Sequence, residues 1–156
     1  MFYHIFFILL LLIALFCTYA IARNDFHRQI IPDIYLFPLL IIGLLITNFF
    51  PWPISAQEGV IAAAFGYTIS AIIGATFNKI FKNKKEKIDS PIGMGDIKLI
   101  SVGGIWLGAT GLSIALIIAC ISGFMWGKLK KIRFIPFAPF FIFGSFLSFI
   151  AIMFLI

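Results

Sequence analysis

Read for runs of apolar residues long enough to cross a bilayer, roughly 17 to 25 positions, the chain gives Phe2 to Ala22, Ile34 to Phe50, Gly59 to Phe77 and Phe137 to Ile156. A further run, Ile97 to Met125, fits one long helix or two short ones turning at Gly108-Ala109-Thr110-Gly111. Turn signals agree with this division. Pro51-Trp52-Pro53 separates the second and third runs, with Trp52 suited to a membrane interface, and Gly127 with Pro136 brackets the last polar stretch. The pattern predicts an all-α polytopic membrane protein.

Charge settles the span count. If Ile97 to Met125 is two spans, all twelve Lys and Arg residues fall on one side of the membrane. If it is one span, the cluster Lys128, Lys130, Lys131 and Arg133 is translocated, against the positive-inside rule. The expectation is therefore six transmembrane helices in a single membrane domain over residues 1–156, with both termini outside and the basic loops in the cytoplasm. Spans four and five come out short, which local thinning of the bilayer accommodates.

Composition agrees. A chain of 156 residues that is 62% hydrophobic and 12% charged cannot bury its apolar surface in one water-soluble core. The net charge of +6 sits in short clusters between apolar runs, the placement that faces anionic headgroups rather than nucleic acid. Cys17 and Cys120 lie inside apolar runs without a Cys-x-x-Cys partner and read as small buried hydrophobes, not as a disulfide or metal site. No Lys or Arg precedes the first run, so a cleaved signal peptide is not expected.

Six acids remain. Glu58 falls in an external loop, and Glu86 and Asp89 fall in the Lys-rich one, all as solvated charges. Asp33 follows Pro32 and reads as the N-cap of span two. Asp25 closes span one, where the plain role is pairing with Arg23 or Arg28. Asp96 ends Ser90-Pro91-Ile92-Gly93-Met94-Gly95-Asp96 and opens span four, where the plain role is again an N-cap.

An ionised aspartate within a span costs about 2.5 to 3.5 kcal/mol on insertion scales and usually marks a functional path. The topology places Asp25 and Asp96 at one depth, so they can meet. At about 4 Å, with an effective dielectric near 20, two carboxylates repel by about 4 kcal/mol and hold one proton between them. That is the state an aspartic protease uses: one carboxylate takes a proton from water while its protonated partner polarises the scissile carbonyl. Gly93 and Gly95, lacking Cβ atoms, would let a substrate backbone approach Asp96.

Other polar residues carry less. His27 reads as an exposed loop residue and His4 as an external one. Lys98 could stabilise an ionised carboxylate or snorkel to headgroups. In span three, Ala62, Ala63, Ala64, Gly66, Ser70, Ala71 and Gly74 would let helices approach closely.

Three segments in this order, D-F-H-R-Q-I-I-P-D-I-Y-L-F-P (Asp25 to Pro38), G-M-G-D-I-K-L-I-S-V-G-G-I-W-L-G (Gly93 to Gly108) and I-P-F-A-P-F-F-I-F-G (Ile135 to Gly144), resemble the type IV prepilin peptidases, six-span aspartic proteases of the Gly-x-Gly-Asp kind. The resemblance implies that Asp25 and Asp96 are the catalytic pair. It also implies a metal- and cofactor-free enzyme of the cytoplasmic membrane that cuts the basic leader from prepilin or pseudopilin precursors. Ala138 stands where many relatives have Gly. Many bacterial members carry an N-terminal extension with Cys-x-x-Cys motifs and methylate the product, whereas this chain begins almost directly with span one, so a peptidase without the methyltransferase is expected. The alternatives are a small proton-coupled transporter using the same two acids and a non-catalytic assembly subunit. One difficulty accompanies the enzyme reading: a basic rim should repel a basic leader unless Asp33, Glu86 or Asp89 offsets it.

Overall fold

A single span in lipid must satisfy its backbone hydrogen bonds within itself, which a helix does. The computed structural model describes residues 2–81, 93–131 and 135–155, and among them every regular element is a helix. There are five: α1 (Phe2–Arg28), α2 (Asp33–Phe49), α3 (Ala56–Phe81), α4 (Met94–Lys130) and α5 (Phe137–Leu155). Four of them, α1, α3, α4 and α5, are long and apolar enough to cross a membrane, while α2, with 17 residues, is shorter. Six separate spanning helices are therefore not found, because the two short spans expected between Ile97 and Met125 are joined in the 37-residue α4.

α4 is not straight. At Gly108 the backbone takes φ 66° and ψ −175°, a conformation open essentially to glycine alone. The chain folds back there: the position a Cβ on Gly66 would occupy lies 3.1 Å from Ile100 and 3.0 Å from Leu112. On a straight helix those two residues would be roughly 18 Å apart. The arm before the kink, Met94 to Leu107, spans only roughly 21 Å.

Close backbone approach holds the bundle together. A Cβ on Gly104 would sit 2.6 Å from the Ala63 amide nitrogen, and one on Gly59 would sit 2.6 Å from the Ile105 carbonyl oxygen, so α3 runs antiparallel to the first arm of α4. Ala62, Ala63, Gly66, Ser70 and Gly74 are buried, whereas Ala64 is exposed and Ala71 half-buried. Of the small residues singled out in span three, those facing α4 do the packing. α5 runs antiparallel to the second arm, with Gly144 against Ala115 and the buried Ser148 hydroxyl donating to the Gly111 carbonyl at 2.7 Å. Tyr3 donates to the Phe49 carbonyl at 2.8 Å, which sets α1 antiparallel to α2. Many large apolar side chains, Phe16, Phe65, Phe124 and Phe154 among them, point outward, as expected of a surface solvated by lipid.

Several boundaries differ from the expected ones. α1 continues past Ala22 to Arg28, so His27 is helical rather than in a loop, and Asp25 lies within the last turns of the helix. α3 starts at Ala56, which puts Glu58 in its first turn, where its amide donates to the Ser55 hydroxyl. Gly127 is buried inside α4, which ends instead at Lys131 in the left-handed conformation. Cys17 is buried, but Cys120 is exposed, because it lies on the outer side of α4. Trp52 turns into the bundle end: its indole donates to the Trp106 carbonyl at 3.0 Å and its ring stacks on Phe149. Glu86, Asp89 and the lysines around them lie outside the described residues.

Candidate active site

The helix directions bring four helix ends together: the C-terminus of α1 and the N-termini of α2, α4 and α5. Asp25 sits one turn before the end of α1 and is 4% exposed. It does not pair with Arg23 or Arg28. At ~100° per residue Asp25 lies about 200° around the helix from Arg23, and its Oδ2 instead accepts a 2.8 Å hydrogen bond from the Ala138 amide in the first turn of α5. A carboxylate at a helix N-terminus faces unpaired amides and the positive end of the helix dipole.

Asp96 occupies the third position of α4. Gly93 is the cap residue, and the Asp96 carboxylate reaches back to accept a 3.1 Å hydrogen bond from its amide. This is the returning half of a capping box, rather than the N-cap role expected of Asp96 itself. Asp25 and Asp96, 71 positions apart in the sequence, thus stand at the same end of the bundle, Asp25 against the first turn of α5 and Asp96 in the first turn of α4.

The glycines flanking Asp96 have distinct surroundings. A Cβ on Gly93 would face the Asp96 carboxylate at 3.3 Å. One on Gly95 would press against the Ile31 Cβ at 2.9 Å, in the linker between α1 and α2. Gly95 thus seats the start of α4 against that linker.

Asp33 and Lys98 are brought together rather than acting separately. Lys98 Nζ donates to both oxygens of Asp33, at 2.7 and 2.8 Å, with both side chains about half exposed. Asp33 does not cap α2; Pro32 holds the cap position, and Asp33 is the first helical residue. Sequence reasoning missed this pair because it joins two helices 65 residues apart. It also missed the Ala138 amide, a backbone donor with no side-chain signature. Among the described residues no three His, Cys, Asp or Glu side chains converge as metal ligands.

The model of the "Type IV leader peptidase family" matches residues 5–128. A prepilin leader peptidase/N-methyltransferase of Dickeya chrysanthemi is 30% identical over 117 residues, covering 72% of this chain and 39% of the relative. Proteins of the same name from Pseudomonas aeruginosa and Aeromonas hydrophila are 30% and 32% identical over 108 residues, covering 69% of this chain and 35% of each relative. The chain thus spans about two-fifths or less of the length of these relatives. No solved structure matches it. The family match, which takes in both Asp25 and Asp96, and the agreement with these relatives over some two-thirds of the sequence establish that the chain belongs to the type IV leader peptidase family.

Proposed function

We propose that the chain is an aspartic endopeptidase that removes basic leaders from type IV prepilin-like precursors, with Asp25 and Asp96 as its catalytic pair. The observation that carries this reading is the convergence of the end of α1, which holds Asp25, with the start of α4, which holds Asp96 and is seated by Gly95 against Ile31. One carboxylate removes a proton from water as the oxygen attacks the scissile carbonyl, and the protonated partner donates a hydrogen bond to the developing oxyanion. Collapse of the tetrahedral intermediate returns a proton to the leaving amine.

In this reading the protein lies in the inner membrane with its acid-bearing end toward the cytoplasm and both termini outside. All described Lys and Arg residues fall on helix ends of that side, as the positive-inside rule requires. The contact of Gly66 with both Ile100 and Leu112 supports counting the two arms of α4 as separate crossings. With α2, this makes six passes.

The test uses the full chain in proteoliposomes with a prepilin precursor and N-terminal sequencing of the product. Asp25→Asn and Asp96→Asn should each abolish cleavage while circular dichroism shows an intact helical fold. Cleavage surviving in either variant would overturn the assignment.

A further inference from the structure

On the outer side of α1, away from Asp25, an open groove of about 550 Å³ runs between the last turns of α1 and the start of α2. Its polar walls are Tyr19, Arg23, Asn24, His27, Arg28 and Tyr35. Arg23 and His27 are four residues apart, as are Asn24 and Arg28, so two adjacent rows of donors project from one side of the helix. Neither arginine forms an ion pair among the described residues, where Lys98 with Asp33 is the one pair found.

We propose that this groove binds the phosphate of an anionic phospholipid headgroup. Two guanidinium groups with tyrosine and histidine side chains beside them suit a phosphate oxyanion, which arginine meets with paired hydrogen bonds, while the Asn24 amide nitrogen already donates to the Ala20 carbonyl. The same arginines repel a basic peptide leader. A second observation favours a lipid over free phosphate: Leu12, Phe16 and Tyr19 are exposed and continue the row from Arg23 toward the middle of α1. Their spacing of four, three and four residues lays an apolar track beneath the headgroup site, where an acyl chain would lie. A bound headgroup places negative charge on the rim one helix face away from the acid pair. That eases the conflict between a basic rim and a basic leader, which the Lys98-bound Asp33 is poorly placed to relieve.

The experiment is native mass spectrometry of the full-length chain in detergent, titrated with phosphatidylglycerol, with phosphatidylcholine or with inorganic phosphate. The wild type should retain a first phosphatidylglycerol in preference to phosphatidylcholine. Arg23→Gln/Arg28→Gln should weaken that retention by roughly thirtyfold, the expectation for two basic side chains at a membrane surface. Lys128→Gln/Lys130→Gln, which removes equal charge from the same rim, should change it little. Equal losses in the two double variants would reduce the groove to general rim charge and overturn the proposal. Displacement by inorganic phosphate at matched concentration would assign the site to free phosphate and overturn the lipid. If the arginine variant does not fold, the wild type decides alone: a first lipid that binds saturably supports the site, and binding with no saturable first step refutes it.

Discussion

Gly95→Ala distinguishes two explanations of the glycine beside Asp96. If the glycine makes room for substrate, a methyl group raises KM. If it seats α4 on the linker after α1, a methyl group moves Asp96. The structure favours the second. The added Cβ would lie 2.9 Å from the Ile31 Cβ, against an ordinary contact of at least 3.4 Å, so something must shift by about half an ångström. The obstructing atom is attached directly to the backbone, so no rotamer change removes it. Overpacking of this kind costs about 1–3 kcal/mol. Because a 1 Å misplacement of a catalytic group can cost about 100-fold, half that shift predicts a fall in kcat of about tenfold. The assay is steady-state cleavage of a precursor by Gly95→Ala alone and combined with Ile31→Gly or Ile31→Ala. Ile31→Gly removes the obstructing Cβ and should restore much of kcat, whereas Ile31→Ala keeps it and should not. A rise in KM alone, or equal rescue by both second substitutions, would refute the packing account.

Gly108→Ala places a side chain at φ 66° and pushes it to 3.0 Å from Ile54, so thermal unfolding in detergent should show a loss of about 1–3 kcal/mol, and no loss would mean the kink relaxes freely. Ser148→Ala removes the buried hydroxyl bonded to Gly111 and should cost about 0.6–1.5 kcal/mol in the same measurement. A double-mutant cycle on Asp33→Asn and Lys98→Met should give a coupling of about 0.2–1 kcal/mol that shrinks with added salt; salt-independent coupling would contradict the half-exposed pair seen here. Asp33→Asn should mildly raise KM for a precursor with a charged leader, and Lys98→Met, which frees the Asp33 carboxylate, should lower it; equal shifts for a precursor with a neutral leader would show that the pair only supports the fold.

The parts of this fold visible in the sequence are those set by local composition. Apolar length located α1, α3 and α5, and the turn expected at Gly108 to Gly111 is where the backbone breaks. Helix ends were less legible, because α1 continues through Arg23, Asp25 and Arg28, polar residues that a hydropathy reading takes for a boundary. The placement of both acids at one end of the bundle was legible through topology, since one-sided basic loops put Asp25 and Asp96 at one depth, but no local signal gave their hydrogen-bond partners. A hydrogen bond from the Ala138 amide and an ion pair from Lys98 to Asp33 depend on how α5 and α4 dock on the first two helices. Helix docking is set by close approach at Gly59, Gly104 and Gly144, of which none was singled out from the sequence.

The I-P-F-A-P segment gains a physical meaning from that docking. A helix begins with four amides that have no partner inside it, and at the start of α5 the proline at position 136 and the proline at position 139 each remove one. The amides left in this turn are those of Phe137 and Ala138, and the Ala138 amide donates to Asp25. A buried carboxylate thus completes a helix terminus that its own sequence cannot cap, and the helix in turn fixes the carboxylate with a main-chain donor, which has no side-chain rotamers to lose. Asp96 is fixed likewise, by the Gly93 amide at the start of its own helix. Each acid of the proposed pair is therefore oriented by backbone, so alanine at position 138 serves as well as any small residue whose amide is free. The neighbouring Ile31, Gly95 and Lys98–Asp33 contacts act on the remaining freedom, the position of the start of α4 relative to the end of α1, and that separation decides whether the two carboxylates share a proton.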